Sequence, residues 1–301
     1  MAIIINEKTR ILVQGITGKQ GQFHTFQMLA CGSKIIGGIS PGKRGQVVHG
    51  VPIYDTVEES MAIEQADASV IFVPAKQVKD CAFEAIDGGI KTLVIITEHV
   101  PLHDAMEIMA FAKMKQVQII GPNTFGLVSP SKSKIGIIPN SIFMPGSVGV
   151  VARSGTLSYE IVYQLTNAGI GQSTVVGLGG DRVVGLSFRD ALAKFEADPD
   201  TKAVVLVGEI GGRAEEDAAV FIKKMNKPVI AFLAGKSAPP GKRMGHAGAI
   251  IERGKGTYDS KVVALKAAGV QVASLLWEVS DLVKKALAEE SARSRSIYKS
   301  K

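Results

Sequence analysis

This sequence has few cysteines and no long hydrophobic run, and each of these two absences excludes a class of protein. Cys31 and Cys81 are the only cysteines and belong to no CxxC motif, so neither a disulfide framework nor a metal site is expected. No apolar segment approaches the roughly 20 residues that a membrane span requires. The N-terminal residues lack a basic leader and are predicted to form a strand, so we expect a cytoplasmic protein without a membrane segment.

The net charge of +7 arises from 35 basic and 28 acidic residues. A nucleic-acid-binding chain would concentrate this charge in a patch interleaved with aromatic residues, and the sequence has no such patch. Four of the positive charges lie in a serine-rich C-terminal segment, at Arg293, Arg295, Lys299 and Lys301. Residues 289–301 are predicted to form a flexible tail. We therefore expect small anionic ligands, and not nucleic acid, as partners.

Short β-branched runs alternate with longer helical patterns, which is typical of α/β proteins with parallel sheets. The chain of 301 residues is long enough for two such domains. The predicted strands are 10–14, 34–39, 69–73, 92–97 and 117–121, then 148–152, 174–178, 203–208, 229–233 and 270–273. A stretch rich in Ser, Pro and Gly, residues 126–146, is predicted to be a linker between domains 1–125 and 147–288.

A glycine-rich loop follows the first predicted strand. It reads Gly-Ile-Thr-Gly-Lys-Gln-Gly from Gly15 to Gly21 and leads into a predicted helix. Glycines let the backbone turn sharply and bring amide N–H groups to an anion at the helix N-terminus. Open parallel sheets bind their ligands at the carboxyl ends of the strands. A phosphorylated ligand is therefore expected at this loop.

The loop after the second predicted strand narrows the choice of ligand. A nicotinamide dinucleotide normally requires Asp or Glu there to bind its ribose hydroxyls, and neither is present. Lys43 and Arg44 stand there instead, and two cations suit a ribose that carries a phosphate. Both NADP and CoA have such a ribose, so these residues leave both ligands open.

The second domain contains a candidate nucleophile, His246, which lies among glycine and alanine residues. Nothing bulky shields its ring, and a neutral imidazole can carry a covalent phosphoryl group. Glu209, at the end of another predicted strand, is placed to hydrogen-bond the second ring nitrogen and fix the tautomer. Ser154 and Gly155 open a helix after a strand and predict a second anion site.

Ordered motifs over residues 3–288 resemble the α-subunit family of succinyl-CoA synthetases. The motifs are 14–21, 40–43, 72–75, 96–98, 121–123, 154–156, 208–212 and 245–249. This resemblance implies a Rossmann-like CoA-binding domain followed by a flavodoxin-like ligase domain. It also implies the interconversion of acyl-CoA, phosphate and a nucleoside diphosphate with a carboxylic acid, CoA and a nucleoside triphosphate.

The same resemblance implies roles for individual residues. The residues expected to bind CoA are Gly15, Thr17, Gly18, Lys19, Gln20, Lys43, Val73, Pro74, Glu98 and Asn123. His246 corresponds to the family's transiently phosphorylated histidine and Glu209 to its orienting carboxylate. The helix that begins at Ser154 and Gly155 would bind the phosphoryl group.

A partner chain is also implied, because the nucleotide site of this family lies in an ATP-grasp β subunit that binds ATP or GTP with Mg. Two α/β units leave no length for a third in this chain. The sequence is compatible with an αβ dimer and with an α2β2 tetramer.

The residues of two loops do not decide the identity of the acyl substrate. The chain has Thr124 after Asn123, and it reads Gly-Gly-Asp-Arg over residues 179–182, where succinyl-CoA synthetases usually have proline in place of Arg182. ATP-citrate lyases and citryl-CoA synthetases resemble this chain in that motif, and their arginine contacts citrate. An arginine fork suits a carboxylate. Thr124 and Arg182 are therefore predicted substrate contacts, with succinate favoured and citrate as its rival.

Two other functions compete with the ligase. An NADP-linked oxidoreductase is favoured by the Rossmann-like beginning and by Lys43 and Arg44, but it leaves His246 unexplained. A non-catalytic CoA-binding protein would need neither Glu209 nor His246. The ligase α subunit is thus the favoured hypothesis.

Overall fold

The structure, a computed structural model, describes residues 2–239, 241–252 and 254–299, with side chains through residue 292. Backbone contacts divide the chain into two compact units. One contains residues 2–140 and 176–186, and the other contains residues 141–175 together with the chain from 187 onward. No helix in the described ranges is both long and apolar enough to cross a membrane.

The first sheet is built from seven short strands. They are β1 (Arg10–Gln14), β2 (Lys34–Ile39), β3 (Val47–Val48), β4 (Val51–Tyr54), β5 (Ala68–Ile71), β6 (Thr92–Ile95) and β7 (Gln118–Ile120). Their order is β3-β4-β2-β1-β5-β6-β7, and the pairings are parallel except for the β3–β4 hairpin. The accompanying helices are α1 (Lys19–Ala30), α2 (Val57–Ile63), α3 (Val78–Asp87) and α4 (Leu102–Met114).

The central strands of this sheet consist almost entirely of buried apolar residues. In β1, Ile11, Leu12 and Val13 are all 0% exposed, because a parallel sheet is covered by helices on both faces and both sides of each strand must be apolar. Polar residues therefore occur mainly beyond the strand ends. This arrangement leaves the loops after the strands to bind ligands.

The second sheet also has seven strands. They are β8 (Gly126–Ser129), β9 (Ser133–Gly136), β10 (Pro145–Ala152), β11 (Gln172–Gly177), β12 (Ala203–Glu209), β13 (Val229–Ala234) and β14 (Gln271–Ala273), in the order β14-β13-β12-β10-β11-β8-β9. The helices are α5 (Gly155–Asn167), α6 (Phe188–Ala197), α7 (Ala214–Ile222), α8 (Tyr258–Ala267) and α9 (Glu278–Lys299). The pairings β10–β12, β12–β13 and β13–β14 are parallel, and β8–β9 is an antiparallel hairpin.

The α/β class and all ten strands predicted within residues 10–273 are confirmed, with ends that differ by a few residues. The predicted N-terminal strand is wrong: residues 2–9 are irregular, and Ile4 has a φ of 71°. Ile3 and Ile5 are nevertheless buried. Their apolar character therefore reflects packing and not a strand.

The first part of the predicted linker at 126–146 is not an irregular connection, because residues 126–136 form the β8–β9 hairpin, in which both strands are buried. A Cβ on Gly126 would stand 2.0 Å from the carbonyl oxygen of Ile135, and one on Gly136 would stand 2.2 Å from that of Phe125. These glycines permit close packing of two backbones and not flexibility. The boundary between the two compact units falls after residue 140, within the predicted linker range.

The C-terminal segment also differs from the prediction. Helix α9 continues to Lys299, so the backbone of 289–299 is helical where a flexible tail was expected. The side chains of Arg293, Arg295, Lys299 and Lys301 lie outside the described part of the chain.

Candidate functional site

The glycine-rich loop after β1 forms the centre of the first site. Gly15 has a φ of 79° and its N–H donates to the carbonyl oxygen of Ile39 at 2.9 Å, which ties the loop to the end of β2. Gly18 precedes α1, and no side chain caps that helix. Lys19 and Gln20 are exposed. The first amide N–H groups of α1 thus face outward at its positive end, which suits a phosphate.

The loop after β2 borders this anion site. The hydroxyl groups of Thr17 and Ser40 lie 2.7 Å apart. Lys43 and Arg44 follow, and both of their backbone N–H groups donate to Asp55, at 3.1 and 3.2 Å.

The two adjacent cations of that loop have different surroundings. The guanidinium of Arg44 is paired with Glu59 at 3.2 Å. The ion pairs of the described residues do not include Lys43, which is exposed. Of the two cations, Lys43 is therefore the better candidate to contact an anionic ligand.

Three further loops are joined by hydrogen bonds at the same edge of the sheet. The Thr97 hydroxyl, after β6, donates to the carbonyl oxygen of Val73, after β5, at 2.7 Å. The N–H of Asn123, after β7, donates to the carbonyl oxygen of Thr97 at 3.0 Å. Pro74 and Glu98 are exposed beside these residues. The predicted CoA contacts, which follow five different strands, thus lie at the carboxyl ends of the sheet, as expected for a parallel sheet.

The two predicted substrate contacts are placed differently. Thr124 is only 4% exposed, and its hydroxyl donates to the carbonyl oxygen of Gly177 at 2.7 Å and accepts the N–H of Gly126 at 3.0 Å. The Thr124 hydroxyl therefore braces two backbone segments. Arg182 is exposed and follows Asp181, whose carboxylate accepts the Asn123 side-chain amide at 3.1 Å.

The second site is centred on His246. Its Nδ1 lies 2.8 Å from Oε2 of Glu209, which is 5% exposed at the end of β12. The other carboxylate oxygen, Oε1, lies 3.6 Å from Nε of Arg153, whose side chain is also buried. One buried carboxylate is thus shared between an imidazole and a guanidinium. Because Nδ1 faces this carboxylate, Nε2 is the ring nitrogen that does not contact Glu209.

The start of α5 lies next to this carboxylate in the fold. The N–H of Arg153 donates to the carbonyl oxygen of Val207 at 3.1 Å, which holds the end of β10 against β12. Ser154 then caps α5 through its side chain, which accepts the N–H of Leu157 at 3.5 Å. The predicted anion-binding helix end therefore begins one residue after the arginine that faces Glu209.

The segment that carries His246, residues 244–249, packs directly on the turn after β12. A Cβ on Gly211 would stand 2.0 Å from the carbonyl oxygen of Gly248. The N–H of Gly211 also donates to the carbonyl oxygen of Gly256 at 2.8 Å. Ile210, Ala249 and Ile251 form a small buried cluster beneath this contact. Backbone packing therefore holds the histidine loop near Glu209.

Three residues of this site were not predicted from the sequence. For Arg153 the sequence does contain an indication of a role in the site, since this residue stands between a buried strand and the Ser154 helix cap. Glu215 and Lys261 form a fully buried ion pair below the turn, and each is placed on a helix where a charged residue ordinarily faces solvent. Among the described residues there is no group of three side chains able to hold a metal ion.

The chain is similar to known CoA-dependent proteins along most of its length. Residues 6–99 match the CoA binding domain family and residues 151–271 match the CoA-ligase family. It is 56% identical over 283 residues to succinate–CoA ligase [ADP-forming] subunit alpha 2 of Archaeoglobus fulgidus, covering 94% of this chain and 99% of that protein. It is 58% identical over 270 residues to the corresponding alpha subunit of Methanothermobacter thermautotrophicus, covering 90% and 92%.

A solved structure with a similar fold is that of ATP citrate lyase from Methanothrix soehngenii in complex with citrate and coenzyme A. The TM-score is 0.89 at 25% sequence identity, and the match covers 97% of this chain and 52% of the other. This chain therefore spans about half the length of that protein.

Proposed function

Since this chain belongs to the succinate–CoA ligase α-subunit family, we propose that it is the CoA-binding, histidine-phosphorylated subunit of a nucleotide-forming acyl-CoA ligase. The predicted family is confirmed, as are a CoA-binding domain and a ligase domain. The NADP-linked alternative accounts for neither the ligase domain nor the contact between Glu209 and His246.

The proposed reaction has three transfers. An oxygen of inorganic phosphate attacks the thioester carbonyl of the acyl-CoA, the C–S bond breaks, and an acyl phosphate and the CoA thiol are formed. Nε2 of His246 then attacks phosphorus, the P–O bond to the acyl group breaks, and the carboxylate leaves. Finally a nucleoside diphosphate oxygen takes the phosphoryl group from nitrogen.

One observation carries this proposal: the 2.8 Å contact between Nδ1 of His246 and the buried carboxylate of Glu209. A carboxylate that accepts from Nδ1 keeps the lone pair on Nε2 and stabilises the positive charge that develops on the ring during attack. The N-terminus of α5 would stabilise the phosphoryl oxygens by its exposed N–H groups and dipole. Arg153 would hold the second oxygen of the Glu209 carboxylate.

The nucleotide requires a second subunit. We assign ATP or GTP, with Mg, to an ATP-grasp β subunit, which would receive the phosphoryl group from His246. The assembly would be an αβ dimer or an α2β2 tetramer, and the cytoplasm would be its compartment, where Cys31 and Cys81 remain thiols as they are in the structure.

Phosphorylation is tested by incubating the chain and its β partner with γ-labelled ATP. We expect an acid-labile, alkali-stable label on the chain, as for a phosphohistidine, and its loss in His246→Asn. Persistence of the label in His246→Asn would refute the assignment of His246. Label that is stable to acid would point to a different acceptor residue.

Succinate is the proposed acyl substrate, because the curated relatives at 56% and 58% identity are succinate–CoA ligases. Citrate is a second candidate on one structural observation. The turn that holds Arg182 is joined to the predicted CoA contact Asn123, through Asp181 at 3.1 Å and through the N–H of Gly180 at 3.1 Å. An arginine in a turn that is joined to a predicted CoA contact would suit a further carboxylate of the acyl group.

The substrate is tested by offering CoA, ATP and a panel of di- and tricarboxylates to the complex and identifying the thioester formed. We expect succinyl-CoA, and Arg182→Pro should leave its formation within a few-fold of the wild-type rate. If citryl-CoA is formed instead, Arg182→Pro should reduce it strongly. Citryl-CoA formation that is insensitive to Arg182→Pro would remove the role given to this arginine.

A further inference from the structure

The amide of Glu209 lies where the ladder between β10 and β12 ends. Val207 still accepts a hydrogen bond from the N–H of Arg153 at 3.1 Å. In a parallel pair, residues two apart on a strand present their backbone groups to the same neighbour, so the N–H of Glu209 faces a position that β10 no longer supplies. The carboxylate of Glu215 supplies the acceptor instead, with Oε1 at 3.1 Å.

Glu215 is itself tied to a lysine from another helix. Its second oxygen, Oε2, accepts a close hydrogen bond from Nζ of Lys261, and both side chains are 0% exposed. The same ammonium donates to the carbonyl oxygen of Gly212 at 3.3 Å and to Glu216 at 3.1 Å. The starts of α7 and α8 are thereby joined to both ends of the Glu209–Gly212 turn.

The space for this carboxylate depends on a glycine. A Cβ on Gly208 would stand 2.7 Å from Oε1 of Glu215 and 2.8 Å from its Cγ. Glu215 therefore reaches directly beneath the last residues of β12. Its two oxygens face two different donors, one the backbone of Glu209 and the other the ammonium of Lys261.

We propose that the Glu215–Lys261 pair is a positioning device for the reactive histidine: it sets the backbone of Glu209, whose carboxylate in turn orients the His246 ring. This inference rests on the proposed phosphorylation of His246. Among the hydrogen bonds and ion pairs of Glu215 and Lys261 in the described part of the chain, none is to the imidazole. Both act through Glu209 and through the carbonyl of Gly212, next to the Gly211 that supports the histidine loop.

A carboxylate is required at Glu215 because it can accept hydrogen bonds from the Glu209 N–H and the Lys261 ammonium at the same time. In Glu215→Gln the amide offers one oxygen and one NH2 group, so a donor must oppose either the Glu209 N–H or the Lys261 ammonium. We expect phosphorylation of His246 to slow by about 10- to 100-fold, as for a displacement of about 1 Å in a catalytic group. Replacing the ammonium as well, in Glu215→Gln/Lys261→Met, removes this conflict and should recover part of the rate.

A matched control is Glu196→Gln in the same unit. Glu196, like Glu215, is a carboxylate that accepts backbone hydrogen bonds; its donors are the N–H groups of Asn226 and Lys227, at 2.9 and 3.3 Å. We expect this variant to retain the wild-type phosphorylation rate. The rates are measured on the complex with the β partner, well below the thermal unfolding temperature of each variant.

A second readout separates positioning from stability. Histidine labelled with 15N reports which ring nitrogen carries the proton, and His246→Asn identifies the resonances of His246. We expect the Nδ1–H tautomer in the wild type and a mixture of tautomers in Glu215→Gln. A wild-type rate and tautomer in Glu215→Gln, with only a lower unfolding temperature, would overturn the positioning role.

The two proposals fail in different ways. Absence of label on the wild-type chain would refute phosphorylation of His246, and the tautomer comparison would still decide whether the pair positions Glu209 and the ring. The positioning role fails differently. If the wild type is labelled normally but Glu215→Gln/Lys261→Met is labelled no faster than Glu215→Gln, the role given to the two carboxylate oxygens of Glu215 is contradicted.

Discussion

A Cβ atom on Gly21 would lie 2.2 Å from the carbonyl oxygen of Gly15 and 2.9 Å from Cα of Ile16. The first turn of α1 therefore rests directly on the backbone of the loop that precedes it. Because the opposing atoms belong to the backbone, they cannot rotate away from a side chain. The absence of a side chain at residue 21 thus determines how closely the helix start approaches the glycine-rich loop.

Replacing this glycine should damage the CoA site selectively. Gly21→Ala is expected to push the loop away from α1, to weaken CoA binding by about tenfold, which corresponds to about 1.4 kcal/mol, and to destabilise the fold by about 1–3 kcal/mol. Calorimetric titration with CoA and urea unfolding measure the two effects. Gly149→Ala is the control, because its Cβ would meet the Phe195 ring at 2.5 Å in the other unit. It should lower stability and spare CoA affinity; equal affinities in both variants would contradict this account.

Two adjacent glycines give a matched test of the histidine loop. Both Gly211 and Gly212 have positive φ, 93° and 56°, but a Cβ on Gly211 meets the Gly248 carbonyl at 2.0 Å while nothing lies within 4 Å of one on Gly212. Gly211→Ala should displace the loop and slow His246 labelling by at least about tenfold. Gly212→Ala should cost only about 1–2 kcal/mol of backbone strain and label at nearly the wild-type rate. Similar labelling rates would show that the close contact does not position His246.

Arg153 and Glu209 should be strongly coupled in stability. Both side chains are less than 10% exposed and lie 3.6 Å apart, so Arg153→Met leaves a buried carboxylate without its cation and should destabilise the chain by about 3–5 kcal/mol. Arg153→Met/Glu209→Gln should be less destabilised than the two single effects added together. Urea unfolding of the four proteins gives the coupling, which we expect to be at least about 1 kcal/mol. Additive effects would mean that the pair does not interact.

The buried ammonium of Lys134 should make the free energy of unfolding depend on pH. Burial lowers the pKa of its ammonium to about 8 from 10.5, although Cys31 acts in the opposite direction. Its Nζ donates to Asn140 at 2.6 Å. Between these two pKa values the unfolded chain binds more protons than the folded one, so this contribution makes the fold more stable as pH rises from 8 to 10.5 and less stable as pH falls back.

The measurement is the difference in unfolding free energy between wild type and Lys134→Met from pH 7 to 10. The unfolding free energy of the wild type should increase relative to that of Lys134→Met as pH rises, by at most about 1.4 kcal/mol per pH unit. Since other groups titrate in both proteins, only the difference between the two is informative. A difference that is flat over this range would show that the ammonium is not perturbed.

The sequence predicted the strands, and the candidate ligand-binding loops at their carboxyl ends, because both have local causes. A buried parallel strand is an apolar run such as that of β1 or β12, and its carboxyl end is where glycines, cations and Glu209 appear. The predicted N-terminal strand, and the first part of the predicted linker, differ from the structure for a tertiary reason. Apolar residues at Ile3 and Ile5 and glycines at 126 and 136 serve packing against distant parts of the chain.

Among the predicted site residues, the hydrogen bond between Glu209 and His246 matches the expected one, although 37 residues separate them. Thr124 differs, because its hydroxyl is used by the backbone of Gly126 and Gly177. A hydroxyl in a loop carries no sequence signal that distinguishes a ligand contact from an internal brace. Only the neighbours supplied by folding decide between them.

By itself the sequence determined the α/β alternation, the glycine-rich loop at Gly15 and the small residues around His246, because each depends on residues that are neighbours in the chain. The tertiary structure alone decided that Arg153 faces the carboxylate of Glu209 and that Lys261 reaches Glu215 across 46 residues. Buried charges are stable only beside partners of opposite charge. Those partners come from separate strands and helices, which meet only when the sheet has formed.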